Sequence, residues 1–142
     1  MLLDANLLLY AVDSESPDHA RAAEWLTEVL NGDRRVALPW QTIGAFVLIS
    51  THPRVCERPL TAAQAWGYVA AWLDAPATWV PPAGDRTAVL LGELLTTHHV
   101  TGNLVTDAQL AALAIEVGAV VQSADSDFAR FPEARWNNPL AH

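Results

Sequence analysis

The chain has 142 residues, 51% of them hydrophobic and six of them Trp, which is enough for one well-filled core and short for two. Its eight basic residues are all Arg and face sixteen acids, for a formal net charge of -8. That balance argues against broad, non-specific polyanion binding but not against a nuclease, because carboxylates gathered around a cation inflate the acidic count.

The lone cysteine, Cys56, excludes an internal disulfide and a cysteine-based zinc site. No apolar run is long enough to span a membrane. Asp4 and Asn6 interrupt the first apolar stretch and no basic residue precedes it, so no secretory signal is expected and the expected address is cytoplasmic.

In chain order, residues 1–6 read as a very short buried strand ending in polar residues, and residues 7–12 as a first helical turn or two. A turn-rich stretch over 13–17 leads to a helix ending at Leu30, in which Ala22, Trp25, Leu26, Val29 and Leu30 recur at helical spacing. Residues 35–38 form a second strand, stopped by Pro39. The nearly all-apolar segment 40–50 fits strand or helix by pattern. Helix is chosen because a parallel sheet needs a crossover after a strand. Pro53 and Pro59 bracket a loop, and Thr61 is placed to cap a helix over 62–73. A third strand over 78–80 precedes a helix over 86–98. A turn at 101–103 precedes an Ala-rich helix over 104–117 stopped by Gly118. A fourth strand covers 119–122, a loop follows over 123–128, and a last short strand lies near 135–137. Short strands alternating with helices predict one α/β domain over 1–142, an open, mostly parallel sheet with helices on both faces.

The aspartates stand out by position. Asp4 ends strand one, Asp125 and Asp127 follow strand four, and Asp107 starts the Ala-rich helix. Ligands of open α/β sheets bind outside the carboxyl ends of the strands, near the point where strand order reverses. By itself Asp107 reads equally as a carboxylate offsetting a helix dipole. Converging carboxylates repel one another unless a cation joins them, and hard Mg²⁺ or Mn²⁺ is the natural partner. Asp4, Asp107 and Asp125 are therefore expected to hold metal directly or through water, with Asp127 as a further or outer ligand. Asn6 is expected to orient Asp4 or its turn. Ser123 and Thr106 are expected to hydrogen-bond the carboxylates or a scissile phosphate.

Three segments carry a family resemblance. LLDANLLLYA at residues 2–11 resembles the opening of PIN-domain ribonucleases, specifically VapC-like toxins of bacterial toxin–antitoxin pairs. NLVTDAQLAALA at 103–114 resembles their third acidic motif, and VQSADSDF at 121–128 their fourth. The intervening LPW at 38–40, AFV at 45–47 and THP at 51–53 look like one subgroup, so the resemblance spans essentially the whole chain. It implies a three-layer α/β/α fold with a parallel sheet of about five strands, Mg²⁺ or Mn²⁺, and cleavage of transfer RNA or another structured RNA that stops translation. It also implies a homodimer and a VapB-like antitoxin that reaches the acidic site, often with an arginine.

One departure concerns the family's second acidic residue, which normally lies early in the helix after strand two. Ala45 holds that position, followed by Phe46, and no Asp or Glu occurs between Arg34 and Cys56. Leu48 stands where many relatives place a basic residue. Glu116 lies nine residues beyond Asp107, half a turn out of phase, and is expected at the sheet edge or beside an arginine. His98 and His99 read as surface or dipole residues, and Arg54 and Arg58 as solubility residues with phosphate contact the lesser alternative. Two other functions share this rim: a PIN-fold binding module that keeps its antitoxin without hydrolysis, and a phosphatase or DNA nuclease.

Overall fold

The computed structural model describes residues 1–141. Among them are five strands of two residues each: β1 (Leu2–Leu3), β2 (Val36–Ala37), β3 (Thr78–Trp79), β4 (Val121–Gln122) and β5 (Trp136–Asn137). They form one sheet in the order β3-β2-β1-β4-β5, and every neighbouring pair is parallel. The chain first steps outward from β1 through β2 to β3, then returns to the other side of β1 for β4 and β5. The strand order therefore reverses between β1 and β4, and in open α/β sheets ligands bind outside the carboxyl ends of the strands at such a point.

The helices are α1 (Ala5–Val12), α2 (His19–Leu30), α3 (Trp40–Ser50), α4 (Ala62–Asp74), α5 (Thr87–Thr97) and α6 (Leu104–Val117). A 3₁₀ segment, Ser126–Arg130, follows β4. Successive strand residues point to opposite faces. Leu2 accordingly joins a buried cluster with α5, α6, Phe128 and Phe131, while Leu3 joins one with α1 to α4. The same alternation sends Ala37 to the first cluster and Val36 and Leu38 to the second. The result is the expected three-layer α/β/α arrangement, with a core on each face of the sheet.

The predicted helix at 40–50 is confirmed as α3. Its Phe46 is fully buried and meets Trp72 of α4 edge-on at 4.8 Å. Thr61 and Gln64 close a capping box that starts α4. In α6, Ala108, Ala111, Ala112 and Ala114 are all 0% exposed, so small side chains bring this helix against the sheet. It ends where Gly118 takes φ 70, a left-handed conformation that glycine adopts without a Cβ clash.

Most elements differ from the sequence reading by a residue or two at their ends, and two differences bear on the site. Helix α1 begins at Ala5 rather than Leu7, because Asp4 caps it: Oδ1 of Asp4 accepts from the Ala5 backbone N–H at 2.7 Å. The expected loop after β4 contains a 3₁₀ turn, capped by Asp125, whose Oδ1 accepts from the Asp127 N–H at 2.8 Å. No helix of the described residues is long and apolar enough to cross a membrane.

Candidate metal centre

Ser123, the residue after β4, is fully buried and ties the two central strand ends together. Its Oγ donates to Asp4 Oδ2 at 2.7 Å and accepts from the Asp125 N–H and from Asn6 Nδ2, each at 3.0 Å. Asn6 Nδ2 also reaches Asp4 Oδ2 at 3.3 Å, and Asn6 Oδ1 accepts from the Ala124 N–H at 3.3 Å. Trp136 of β5 donates its indole N–H to the Ser123 carbonyl at 3.0 Å. Asn6 thus orients Asp4 and spans the gap between β1 and β4. Trp136, which the sequence did not single out, anchors the same knot from the sheet edge.

Around this knot the acids converge. Asp107 projects from the first turn of α6. Carboxylate oxygens of Asp107, Asp125 and Asp127 all lie within 4.8 Å of one another. Asp4 lies outside that set, and Asp127, expected as the outer member, lies within it. All four are nonetheless electrostatically joined. Asp107 is pushed up to about 7, first by burial and then by the charges of Asp125, Asp4 and Asp127. Asp4 is also raised, chiefly by burial, with Asp125 adding and the hydrogen bonds from Ser123 and Ala5 opposing. Such repulsion is what a divalent cation relieves, and an all-oxygen donor set suits Mg²⁺ or Mn²⁺. The residues present therefore fit a hard cation.

Other expectations fall elsewhere. The Thr106 hydroxyl donates to the Asn103 carbonyl at 2.8 Å, a local helix-start bond, and makes no bond to the carboxylates. Helix α3 supplies no carboxylate: Ala45 is half-buried and Gln41 is exposed. Glu116 stands apart from the aspartates, as its helical phase predicts. It accepts from the Arg86 backbone N–H at 3.3 Å and from the Thr87 hydroxyl, capping the start of α5. Its arginine contact is thus with main chain rather than guanidinium. A Cβ on Gly84 would overlap that carboxylate, so a side chain there would push Glu116 aside from its contacts with α5. His98 pairs with Glu133 at 2.8 Å and meets Phe131 edge-on, which fixes the end of α5. Arg54 and Arg58 are exposed, and Arg58 lies 3.9 Å from Glu15. A cation missed by the sequence reading is Arg130, whose Nε sits 3.5 Å from Asp127 Oδ1. The detectable signal was its place three residues after Asp127.

A parallel sheet of this order with an acidic rim at its switch point defines a class. The PIN domain family profile matches residues 1–134. Ribonuclease VapC33 of Mycobacterium tuberculosis is 41% identical over 137 residues, covering 96% of each chain. Ribonuclease VapC37 of the same organism is 42% identical over 140 residues, covering 99% of this chain and 97% of its own. The chain belongs to the PIN-domain family, among its VapC-like members. The fold is shared with VapBC-1 from nontypeable Haemophilus influenzae, at TM-score 0.71, 16% identity and coverage of 99% and 98%. It is also shared with VapBC2 from Rickettsia felis, bound to a promoter DNA fragment, at TM-score 0.69, 17% identity and 96% coverage of both chains.

Proposed function

We propose that this protein is a metal-dependent endoribonuclease toxin that cleaves structured cellular RNA, such as transfer or ribosomal RNA, and so halts translation in the cytoplasm. The observation that carries the reading is the convergence of Asp107, Asp125 and Asp127, whose carboxylate oxygens lie within 4.8 Å of one another, beside Asp4, which Ser123 ties to the same turn from the opposite end of the chain. The names of its relatives VapC33 and VapC37, both ribonucleases, support the reaction class.

Asp4, Asp107, Asp125 and Asp127 would share Mg²⁺ or Mn²⁺. When bound, such a cation supplies Lewis acidity toward a phosphoryl oxygen. The protein's own part is positional. Ser123 and Asn6 hold the Asp4 carboxylate, Asp125 turns the backbone that carries Asp127, and α6 presents Asp107 from its first turn. The exposed residues Trp40 and Leu48 of α3, with Trp66 and Tyr68 of α4, offer apolar surface for a homodimer and a VapB-like antitoxin. The VapBC assemblies that share this fold favour such a partner.

The test is a map of RNA ends after induction in cells lacking the antitoxin, comparing wild type with Asp4→Asn and Asp125→Asn. New ends that need an intact Asp4 and Asp125 support the reading. Purified protein that leaves cellular RNA intact with Mg²⁺ or Mn²⁺, while an active relative cleaves it, ends it. Loss of Ala45's expected carboxylate favours one second reading, a binding module that engages the antitoxin without hydrolysis. Antitoxin binding with no metal uptake would establish that alternative.

A further inference from the structure

We infer that Arg130 is the chain's own phosphate-binding arginine at the acidic rim, receiving an RNA phosphodiester beside the carboxylates; this rests on the ribonuclease reading above. The geometry begins with the 3₁₀ segment Ser126–Arg130. At three residues per turn, side chains three apart eclipse on one face. Asp127 and Arg130 therefore stand together, with Arg130 Nε 3.5 Å from Asp127 Oδ1. Among the described residues, this is the only ion pair that involves one of the four site carboxylates.

The contact occupies the Nε edge of the guanidinium, and no second partner of Arg130 is found among the described residues. Its side chain stays 63% exposed. Asp127 therefore holds the arginine at the rim while the two Nη groups remain accessible, a fork that matches two phosphate oxygens. The electrostatics call for such a residue. With a net charge of -8 and no lysine, the chain approaches RNA against general repulsion. A rim of four carboxylates sharpens that repulsion where the phosphodiester must lie. A guanidinium tethered to the rim gives the phosphate one attractive contact at the reacting end of the surface, whatever the base sequence.

The experiment is fluorescence anisotropy with a fluorescein-labelled RNA hairpin, with Ca²⁺ replacing Mn²⁺ as the oxygen-seeking cation and intact RNA confirmed on a denaturing gel after each titration, over a series of salt concentrations. Arg130→Gln is expected to weaken binding about tenfold and to flatten the salt dependence by about 0.7 in log–log slope, the loss of one phosphate contact on a single strand. Arg130→Lys is expected to keep the slope and recover part of the affinity, because the charge remains and the fork is lost. Arg135→Gln makes the same charge change at the opposite end of the sheet, where Arg135 Nη2 donates to the Gly118 carbonyl, and should leave both readouts near wild type. Wild-type affinity and slope in Arg130→Gln would overturn the inference alone. Failure of the wild type to bind the hairpin would overturn the ribonuclease reading with it.

Discussion

The Ser123 hydroxyl donates to Asp4 Oδ2 at 2.7 Å, closing a contact between residues 119 apart in sequence. The same oxygen accepts from Asn6 and from the Asp125 backbone, so one buried atom sets the relation of β1, α1 and the 3₁₀ turn. Ser123→Ala removes that junction without touching a carboxylate. It is expected to lower Mn²⁺ affinity about tenfold or more, as outer-sphere partners of metal ligands do. It should also destabilise the fold by about 1–3 kcal/mol, since buried donors lose their acceptor. Calorimetric Mn²⁺ titration and thermal unfolding read the two effects. Unchanged Mn²⁺ affinity would show that Ser123 is only structural.

Asp107 gives the metal-free protein a pH dependence of definite sign. Its folded-state pKa of about 7 lies above the unfolded value near 3.8, so the folded chain holds the extra proton between them. Metal-free stability from this group is therefore highest below that window and falls as pH rises through it. Asp4, also raised, contributes in the same direction. Glu133 works oppositely: burial raises it, but the hydrogen bond from His98, a backbone hydrogen bond and the His98 charge together hold it below its ordinary value, so its contribution is lost toward acid. Asp107→Asn isolates the effect. Unfolding temperatures in EDTA should decline with pH more steeply in wild type than in Asp107→Asn. The stabilisation conferred by Mn²⁺ should grow over the same range, because its ligands must be ionised. Parallel pH curves for the two proteins in EDTA would refute the assignment.

Much of this architecture is legible in the sequence. The alternation of short apolar runs with helical periods points to the layers, and the places of Asp4 at the end of strand one, Asp125 just beyond strand four and Asp107 at a helix start point to one rim. Segment 40–50 is ambiguous because a nearly all-apolar run has little periodicity to read, and only the need for a crossover decides it. Asp4 as both site residue and cap of α1 was hidden, since its neighbours Ala5 and Asn6 continue a strand as readily as they start a helix. The Glu116 cap was hidden for a different reason. Phase on α6 excluded it from the site, but its partners Arg86 and Thr87 lie about thirty residues back, at the start of α5. Arg130 escaped because a 3₁₀ turn brings together residues that a loop need not.

That Glu116 cap can be tested separately from the site. Its carboxylate accepts from the Arg86 backbone N–H, just before α5, and from the Thr87 hydroxyl. Glu116→Ala leaves those donors to solvent and is expected to lower stability by about 1 kcal/mol, the usual loss for a helix cap. Mn²⁺ affinity should not change. A marked fall in that affinity, with stability intact, would place Glu116 at the metal centre and overturn the cap.

Position 45 tests whether α3 can restore the missing acid. The Thr42 hydroxyl, 1% exposed as a residue, donates to the Leu3 carbonyl at 2.6 Å, directly before Asp4. Ala45 follows three residues later, on the same helix face, and is half-buried. A carboxylate there would join a rim where like charges already raise Asp107. Ala45→Glu should therefore move the two states in opposite directions. Without metal, added repulsion should lower stability by about 1 kcal/mol. With Mn²⁺, a further oxygen ligand should raise affinity by about threefold to tenfold, since ligand charge tunes cation binding. Unfolding temperatures in EDTA and in Mn²⁺ would then diverge from wild type with opposite signs. A loss of stability in both conditions would mean that the new side chain clashes in the core, and Ala45→Asp, one methylene shorter, would be the variant to compare. If neither substitution strengthens Mn²⁺ binding, position 45 does not face the carboxylates, and the acid missing from α3 has no bearing on the metal centre.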